Sequence, residues 1–241
     1  MSRISFENYG KKAKTLYSYT EIAGRYPSQE SAERNIFIEV ISKLEVNAQD
    51  KLLDIGCGSG NLYIPLSFVC KQITGIDHEA CLGKLRSRYT NLNNTILVPG
   101  NFLDMSIGNK FDKVLCYSVL QYLADAREVL LFVKKALNLL VPGGKALFGD
   151  IPNTSTKKRF LDSRSGSKFS EEWNRSAQKN KIGGTKIEIE KDNDVVKFDD
   201  ELVLEILKQT RSIGYHSYVL AQSPHLPFGY TREDIIVDKP A

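Results

Sequence analysis

The residues with the clearest chemical purpose stand together in Leu52-Leu-Asp-Ile-Gly-Cys-Gly-Ser-Gly-Asn-Leu62, where Asp54 precedes glycines at 56, 58 and 60. Glycines at that spacing allow a tight turn with positive φ and let a ligand approach the backbone without meeting a Cβ. A helix starting behind the turn offers free N–H groups to an anionic ligand group. Asp54 adds the opposite chemistry, because a carboxylate there repels a pyrophosphate and accepts from an ammonium group. A second carboxylate, Asp77, closes the run Gln72 to Ile76 about 20 positions beyond the first glycine, where an acidic side chain can accept from both hydroxyls of a ribose. Together they point to an adenosine-bearing ligand without choosing among such ligands. Each also has a plain structural reading, as a strand–helix corner and as an N-cap for a helix over 79–89. The dinucleotide spacing G-x-G-x-x-G is not met, since the third glycine comes one residue early and Asn61 holds its place. No lysine follows Gly60, as a phosphate loop requires.

Apolar runs predict the elements that position these residues. Strands are expected over 51–55, 72–76, 95–99, 111–116 and 145–150, with helices over about 61–70, 79–89 and 125–140 between them. A helix over 28–44 precedes the first strand, with Ser28 or Ser31 as its cap and Ile36, Val40, Ile41 and Leu44 at helical spacing. Val141-Pro-Gly-Gly144 stops the helix before strand 5. After an insertion, Asp199 or Asp200 caps a helix that ends near Ile213, and strands follow over 215–222 and 233–237. Two strands so close in sequence form a hairpin, so one of them runs antiparallel. The expected fold is therefore α/β: a doubly wound, mostly parallel seven-stranded sheet with an antiparallel C-terminal hairpin, an N-terminal helical cover and an insertion after strand 5.

With 41 % hydrophobic and 26 % charged residues among 241, the chain can bury one sizeable core. No apolar run approaches a membrane span, and the first residues form no apolar h-region, so neither a span nor a signal peptide is expected. Cysteines 57, 70, 81 and 116 form no C-x-x-C pair. No metal site is expected, and reduced thiols in a cytoplasmic protein are the plain reading. Residues 153–197 hold 11 Lys/Arg against 7 Asp/Glu, which equals the whole net charge of +4. Such a segment either draws an anionic substrate or is a solvated lid.

The stretch Asp54-Ile-Gly-Cys-Gly-Ser-Gly60 resembles motif I of the class I, Rossmann-like S-adenosylmethionine-dependent methyltransferases that act on small molecules. The likeness carries specific motifs over about residues 50–151 and extends loosely to 237. It implies S-adenosyl-L-methionine as cofactor, bound by Asp54, Gly56, Cys57, Gly58, Gly60, Asp77 and His78. Asn101 and Phe102 fall where the family meets the adenine amino group and ring. Asn101 departs from the usual Asp, yet its amide oxygen can still accept. Tyr117-Ser-Val-Leu-Gln-Tyr-Leu123 after Phe111 to Cys116 resembles the family's fourth strand and turn. The backbone at Cys116, Tyr117 and Ser118 is thereby expected at the methionine ammonium group, with Gln121 and Tyr122 toward the acceptor. Family members often cover the site with N-terminal helices, which makes Tyr19, Arg25 and Tyr26 candidate lining residues; aromatic packing onto the core is the other reading. Asp150, Tyr230 and Arg232 complete the expected acceptor side. The branch that methylates base amino groups carries N/D-P-P-Y/F where this chain has Tyr-Ser-Val-Leu, so nucleic acid is not the expected partner.

The resemblance divides a single domain over 1–241 into an N-terminal helical cover (1–48), a cofactor-binding core (49–151), an insertion or lid (152–198) and a C-terminal helix and hairpin (199–241). It implies O- or N-methylation of a small molecule, anionic or sugar-type. A base is needed only where the acceptor must lose a proton. His225, between two prolines of the loop after strand 6, is the first candidate, with His216, Asp150 and Tyr230 as others. Two further readings are an NAD-dependent oxidoreductase, disfavoured by the early third glycine and the hairpin, and a methyltransferase-like binding module without catalysis, supported only by the basic run 157–168.

Overall fold

The computed structural model describes residues 3–90, 93–180 and 195–241. Helices α1 (Arg3–Thr15), α2 (Tyr19–Ile22), α3 (Glu30–Glu33) and α4 (Ile36–Leu44) precede β1 (Lys51–Ile55). The core continues through α5 (Tyr63–Ser67), β2 (Gln72–Asp77), α6 (Glu79–Arg88), β3 (Thr95–Pro99), β4 (Phe111–Tyr117), α7 (Ala126–Leu137) and β5 (Leu140–Pro152). Helices α8 (Thr154–Leu161) and α9 (Arg164–Asn180) follow, then α10 (Asp200–Ser212), β6 (His216–Ala221) and β7 (Arg232–Asp238).

The strands lie in the order β3-β2-β1-β4-β5-β7-β6. The pairings from β3 to β5 are parallel, and β7 runs antiparallel to both β5 and β6. The inner strands are apolar on both faces, as sheets covered on both sides require. One layer sets Phe132, Val133, Ile206 and Phe198 against the sheet, and the other sets Val40, Leu44, Tyr63, Leu66 and Leu85 against it.

Capping explains where several helices begin. Asp125 accepts from Glu128 N while Glu128 accepts from Ala124 N, and Asp199 accepts from Leu202 N. Gly214, at φ +89°, ends the α10 segment as expected. The helix expected over 28–44 is instead broken. A 3-10 turn at Pro27–Gln29 and α3 precede α4, and Tyr26 N bonds to Gln29 Oε1, so neither serine is the cap. Tertiary bonds hold the break: Asn35 donates to the carbonyl of His225, and Glu33 accepts from Asn61. Helix α5 is shorter than expected and α7 ends at Leu137, leaving 140–144 to join β5. The basic run after β5 is two helices. Asn153 caps α8 by accepting from Ser155 N and Thr156 N, and Gly166 lets α9 cross α8 where a Cβ would collide with the Phe160 carbonyl. The short strand expected near 185–190 lies outside the described residues. Among the described residues no helix is long and apolar enough to cross a membrane.

Tyr63 ties the sheet beneath the glycine turn. Its ring is fully buried and its hydroxyl donates toward the carbonyls of Ile73 and Ile96, on or beside β2 and β3. Gly75 makes room for that ring: a Cβ there would stand 2.6 Å from the Tyr63 ring and 2.8 Å from Cys57 Sγ. Gly75→Ala is therefore expected to lower stability by about 1–3 kcal/mol through overpacking, read from the midpoint of urea unfolding. An unchanged midpoint would show that the ring can shift freely.

Candidate functional site

The carboxyl ends of the parallel strands carry a cleft of about 300 Å³, lined by the glycine turn, Asp54, Asp77, Tyr117–Val119 and residues of the N-terminal cover. Open α/β sheets bind ligands at that edge. The turn needs its glycines: Gly56, Gly58 and Gly60 have φ of +82°, +55° and +91°. A Cβ on Gly56 would collide with Val119, whereas one on Gly58 would meet nothing within 4 Å. Gly58, which lines the cleft, thus keeps backbone accessible there.

Two carboxylates are fixed beside this turn. Asp77 accepts from Gly58 N at 2.7 Å through one oxygen and from His78 N at 2.6 Å through the other. Burial raises its pKa, against the pull of those two N–H groups. Asp54 is 2 % exposed and lines the cleft, but its Oδ2 has no hydrogen-bond partner. Burial, aided by the charge of Asp77, pushes its pKa up to about 8. Burial keeps this group protonated, and a cation placed beside its free oxygen would favour the carboxylate. Asn61, at the position of the missing third glycine, donates to Glu33 and to the Tyr19 carbonyl and accepts from Arg88.

A second cavity, of about 540 Å³, is built by the insertion, the N-terminal cover and the loop after β6. Its rings are Tyr26, Phe160, Phe169, Trp173, Phe228 and Tyr230. Between the two cavities lies a buried ion cluster. Arg25 reaches Asp150 at 3.2 Å and Glu33 at 3.9 Å, and Arg232 reaches Asp150 at 3.6 Å. Arg25 lines the first cavity and Arg232 the second. Asp150 sits at φ +60°, its N–H bonded to Asp234. Burial raises the Asp150 pKa, opposed by the two arginines.

The expected site residues are distributed as follows. Asp54, Gly56, Cys57, Gly58, Asp77, Tyr117, Ser118 and Arg25 line the first cleft. Asn101 and Phe102 line a small adjoining space of about 20 Å³, with Phe6 across from them. Phe102 packs edge-on against Phe132, and Asn101 also caps the short turn that follows it. Tyr26, Tyr230 and Arg232 line the second cavity.

Other expected residues line neither cavity. Cys116 is buried in the core rather than at the cleft, because β4 turns it away from the cleft-lining Tyr117. Gly60 closes the turn against Leu85 and Ile64. His78 caps α6 through Nδ1, and its ring packs against Phe6 and over Gly10 of α1. Tyr19 lies over Arg88, 3.9 Å from its ring centroid, in a separate surface groove. Gln121 turns back onto the Ser118 hydroxyl, and Tyr122 packs edge-on against Tyr9. His225 is exposed and lines neither cavity; Pro224 and Pro227 identify a loop but do not fix which way its ring faces. His216 is exposed at the start of β6. The sequence reading missed Tyr9, Glu33 and Phe37 on the first cleft and Phe160, Phe169 and Phe228 on the second. Phe169 and Trp173 stand four apart on α9, a helical-face signal that counting charges in the insertion passed over.

Fold and site together define the class: the Rossmann-like, class I S-adenosylmethionine-dependent methyltransferases. The comparisons with known proteins agree and narrow it. Residues 29–160 match the family model described as "Nodulation protein S (NodS)", and the chain belongs to that family. Nodulation protein S of Rhizobium tropici is 27 % identical over 107 residues, covering 44 % of this chain and 45 % of the relative. The ubiquinone biosynthesis O-methyltransferase of Nitrobacter winogradskyi is 33 % identical over 97 residues, covering 39 % of this chain and 36 % of the relative. The aligned parts thus span less than half the length of these curated relatives. Among solved structures, N-methyltransferase NodS from Bradyrhizobium japonicum WM9, in complex with S-adenosyl-L-homocysteine, superposes with a TM-score of 0.65 at 16 % identity, over 99 % of this chain and all of that one. Phosphoethanolamine N-methyltransferase 1 of Haemonchus contortus gives 0.71 at 16 % identity, over 98 % of this chain and 49 % of that one.

The raised pKa of Asp54 fixes a pH signature. The folded protein holds this proton up to about pH 8, while the unfolded chain releases it near the ordinary aspartate value of about 3.9. The folded state therefore binds more protons between those limits, and this group lowers stability as pH rises through the window. Asp54→Asn is expected to flatten that loss, seen as a smaller drop in Tm between pH 5 and pH 8. An identical pH dependence in wild type and variant would show that Asp54 is ionised throughout.

Proposed function

We propose that this protein transfers a methyl group from S-adenosyl-L-methionine to an oxygen or nitrogen of a small-molecule acceptor. The observation that carries the reading is the unpartnered, buried Asp54 carboxylate beside the open Gly58 backbone. Those groups suit a ligand with an ammonium at one end and no pyrophosphate. A nicotinamide dinucleotide would bring its phosphates against Asp54, which is why the oxidoreductase reading is not favoured. The relatives named above are methyltransferases of both O- and N- type, which leaves the acceptor atom open.

When bound, the cofactor supplies an electrophilic methyl on a sulfonium, to be taken by a lone pair of the acceptor. Asp54 would receive the ammonium group, Asp77 the ribose hydroxyls and the Gly56–Gly58 backbone the chain between them. Asn101 and Phe102 mark the adenine side. The second cavity would hold the acceptor, and the Arg25–Asp150–Arg232 cluster would fix the wall between the two ligands. Proximity and orientation can supply roughly 7–11 kcal/mol of the barrier lowering in such a displacement. Of the groups considered as a base, only Tyr230 lines the acceptor-side cavity; no role is assigned to His225. Lys157 and Arg232 on that cavity favour an acceptor with an anionic group. Four buried thiols without a disulfide fit the cytoplasmic setting that the reading carries.

Calorimetric titration tests the reading. S-adenosylmethionine and S-adenosylhomocysteine are expected to bind and NADH not to, with Asp77→Ala weakening both by about tenfold or more, the scale of a lost hydrogen bond to a charged group. Binding of NADH alone would overturn the proposal. A second readout is proton release: at pH 7 the homocysteine product should displace about one proton from Asp54 on binding, and none in Asp54→Asn, measured in buffers of different ionisation enthalpy.

A further inference from the structure

The second cavity has a chemical character that the methyl-transfer reading alone does not supply. Its rings form a continuous belt. Phe228 meets Tyr26 at 6.1 Å between centroids, Tyr26 meets Trp173 at 5.7 Å and Trp173 stacks on Phe169 at 6.2 Å. Phe169 then meets Phe160 at 5.7 Å, and Phe160 stacks on Tyr230 at 4.6 Å with only 6° between their planes. These rings are not sealed in the core: Tyr26, Phe169 and Tyr230 are 37 %, 41 % and 46 % exposed. Large apolar side chains gathered around one opening mark a ligand surface rather than scattered surface residues.

Several polar groups around the belt are committed to the protein itself, while Ser170 and Asn174 also line the cavity. Asn153 accepts from Ser155 N and Thr156 N and donates to Asp200 and Glu233. Thr154 Oγ1 donates to the Phe198 carbonyl, Thr231 Oγ1 donates to the Phe228 carbonyl, and Gln29 Oε1 accepts from Tyr26 N. The charge points one way. Lys157 and Arg232 line the cavity, and no Asp or Glu does among the described residues. Arg232 lies over the Phe228 ring at 5.0 Å, and Lys157 makes no ion pair among the described residues. An aromatic box also suits a quaternary ammonium, but Lys157, which makes no ion pair among the described residues, opposes one, and Arg232 is paired with Asp150.

We infer that this cavity takes a planar aromatic acid, its ring lying among the rings of α8, α9 and the loop after β6, and its anionic group at Lys157 and Arg232. The inference narrows the acceptor class of the proposed transferase and rests on that reading. It departs from a sugar-type acceptor because six aromatic rings line the cavity and offer faces for stacking.

The probe is 2-naphthoate, compared with glucose 6-phosphate, cyclohexanecarboxylate and (2-naphthylmethyl)trimethylammonium. Affinities are measured by calorimetry, and the site is located by the emission of Trp173, the single tryptophan of the chain. Expected is naphthoate binding about tenfold or more tighter than each of the other three, with a saturable change in Trp173 emission. Lys157→Gln, at an exposed position, should weaken naphthoate about tenfold, and Lys157→Arg should restore it. Tighter binding of the sugar phosphate or of the ammonium compound, equal binding of cyclohexanecarboxylate, or naphthoate affinity indifferent to Lys157→Gln would each overturn the inference. S-adenosylhomocysteine is titrated in parallel on every variant. If it binds and naphthoate does not, the inference fails and the methyl-transfer reading stands. If naphthoate binds as expected and S-adenosylhomocysteine does not, the cavity has the inferred chemistry but serves something other than methyl transfer.

Discussion

One carboxylate, Asp150, is held between two arginines from distant parts of the chain, and the two cavities share the wall they form. Arg25 arrives from the N-terminal cover and Arg232 from the last strand, and both Arg25 and Asp150 are almost fully buried. Removing one member of a buried ion pair typically costs about 3–5 kcal/mol, because the other charge is left uncompensated. The cluster does not end there. Arg25 also faces Glu33, Glu33 accepts from Asn61 of the glycine turn, and Asn61 accepts from Arg88. On the other side, Asp150 N bonds to Asp234, which also takes Lys43 and Gln222, and Gln222 donates to the Tyr117 hydroxyl. Cover, glycine turn, sheet edge and hairpin are thus held in one relative arrangement by charged hydrogen bonds rather than by packing alone.

Arg25 Nε, Asp150 Oδ1 and Gln222 Oε1 of that network lack hydrogen-bond partners, and Asp54 Oδ2, at the foot of the first cleft, lacks one too. A buried carboxylate with a free oxygen is a cost to the folded chain, and buried polar groups without partners call for a specific explanation. Asp77 shows the contrast. It is half-buried, and both its oxygens receive backbone N–H groups. The two carboxylates of the edge thus differ in their bonding: both oxygens of Asp77 are bonded within the chain, and Asp54 Oδ2 is not.

Much of the scaffold was legible because its signals are local. Short apolar runs between turns gave the strands, the early third glycine and Asp77 marked the edge, and two strands separated by few residues required an antiparallel member. The limits were equally physical. A fully buried strand has no alternation to reveal which side chains face which way, so Cys116 and Tyr117 looked alike in sequence and lie on different sides. The break at Arg34 and Asn35 is made by bonds to His225 and Asn61, which no window of sequence contains. The aromatic belt draws its rings from residue 26, residues 160–173 and residues 228–230, and no periodicity links segments so far apart. His225 shows the reverse: flanking prolines identified a loop without telling which side of it meets the cavity.

The placing of β7 between β5 and β6 sets an order of assembly. Strand β6 is made before β7 yet pairs with nothing else, so it has no sheet to join until β7 has docked against β5, about 90 residues earlier in the chain. Contacts of that sequence separation form slowly, since the intervening loop must be closed first. The parallel half, with the glycine turn, Asp54 and Asp77, has its own long-range step in the β1–β4 pairing, which joins Asp54 to Leu115. Arg232 comes with the late strand and completes both the ion cluster and the wall of the aromatic cavity. The two cavities therefore draw on different stretches of the chain: residues 9–119 line the first, and Arg232 at the start of β7 completes the lining of the second.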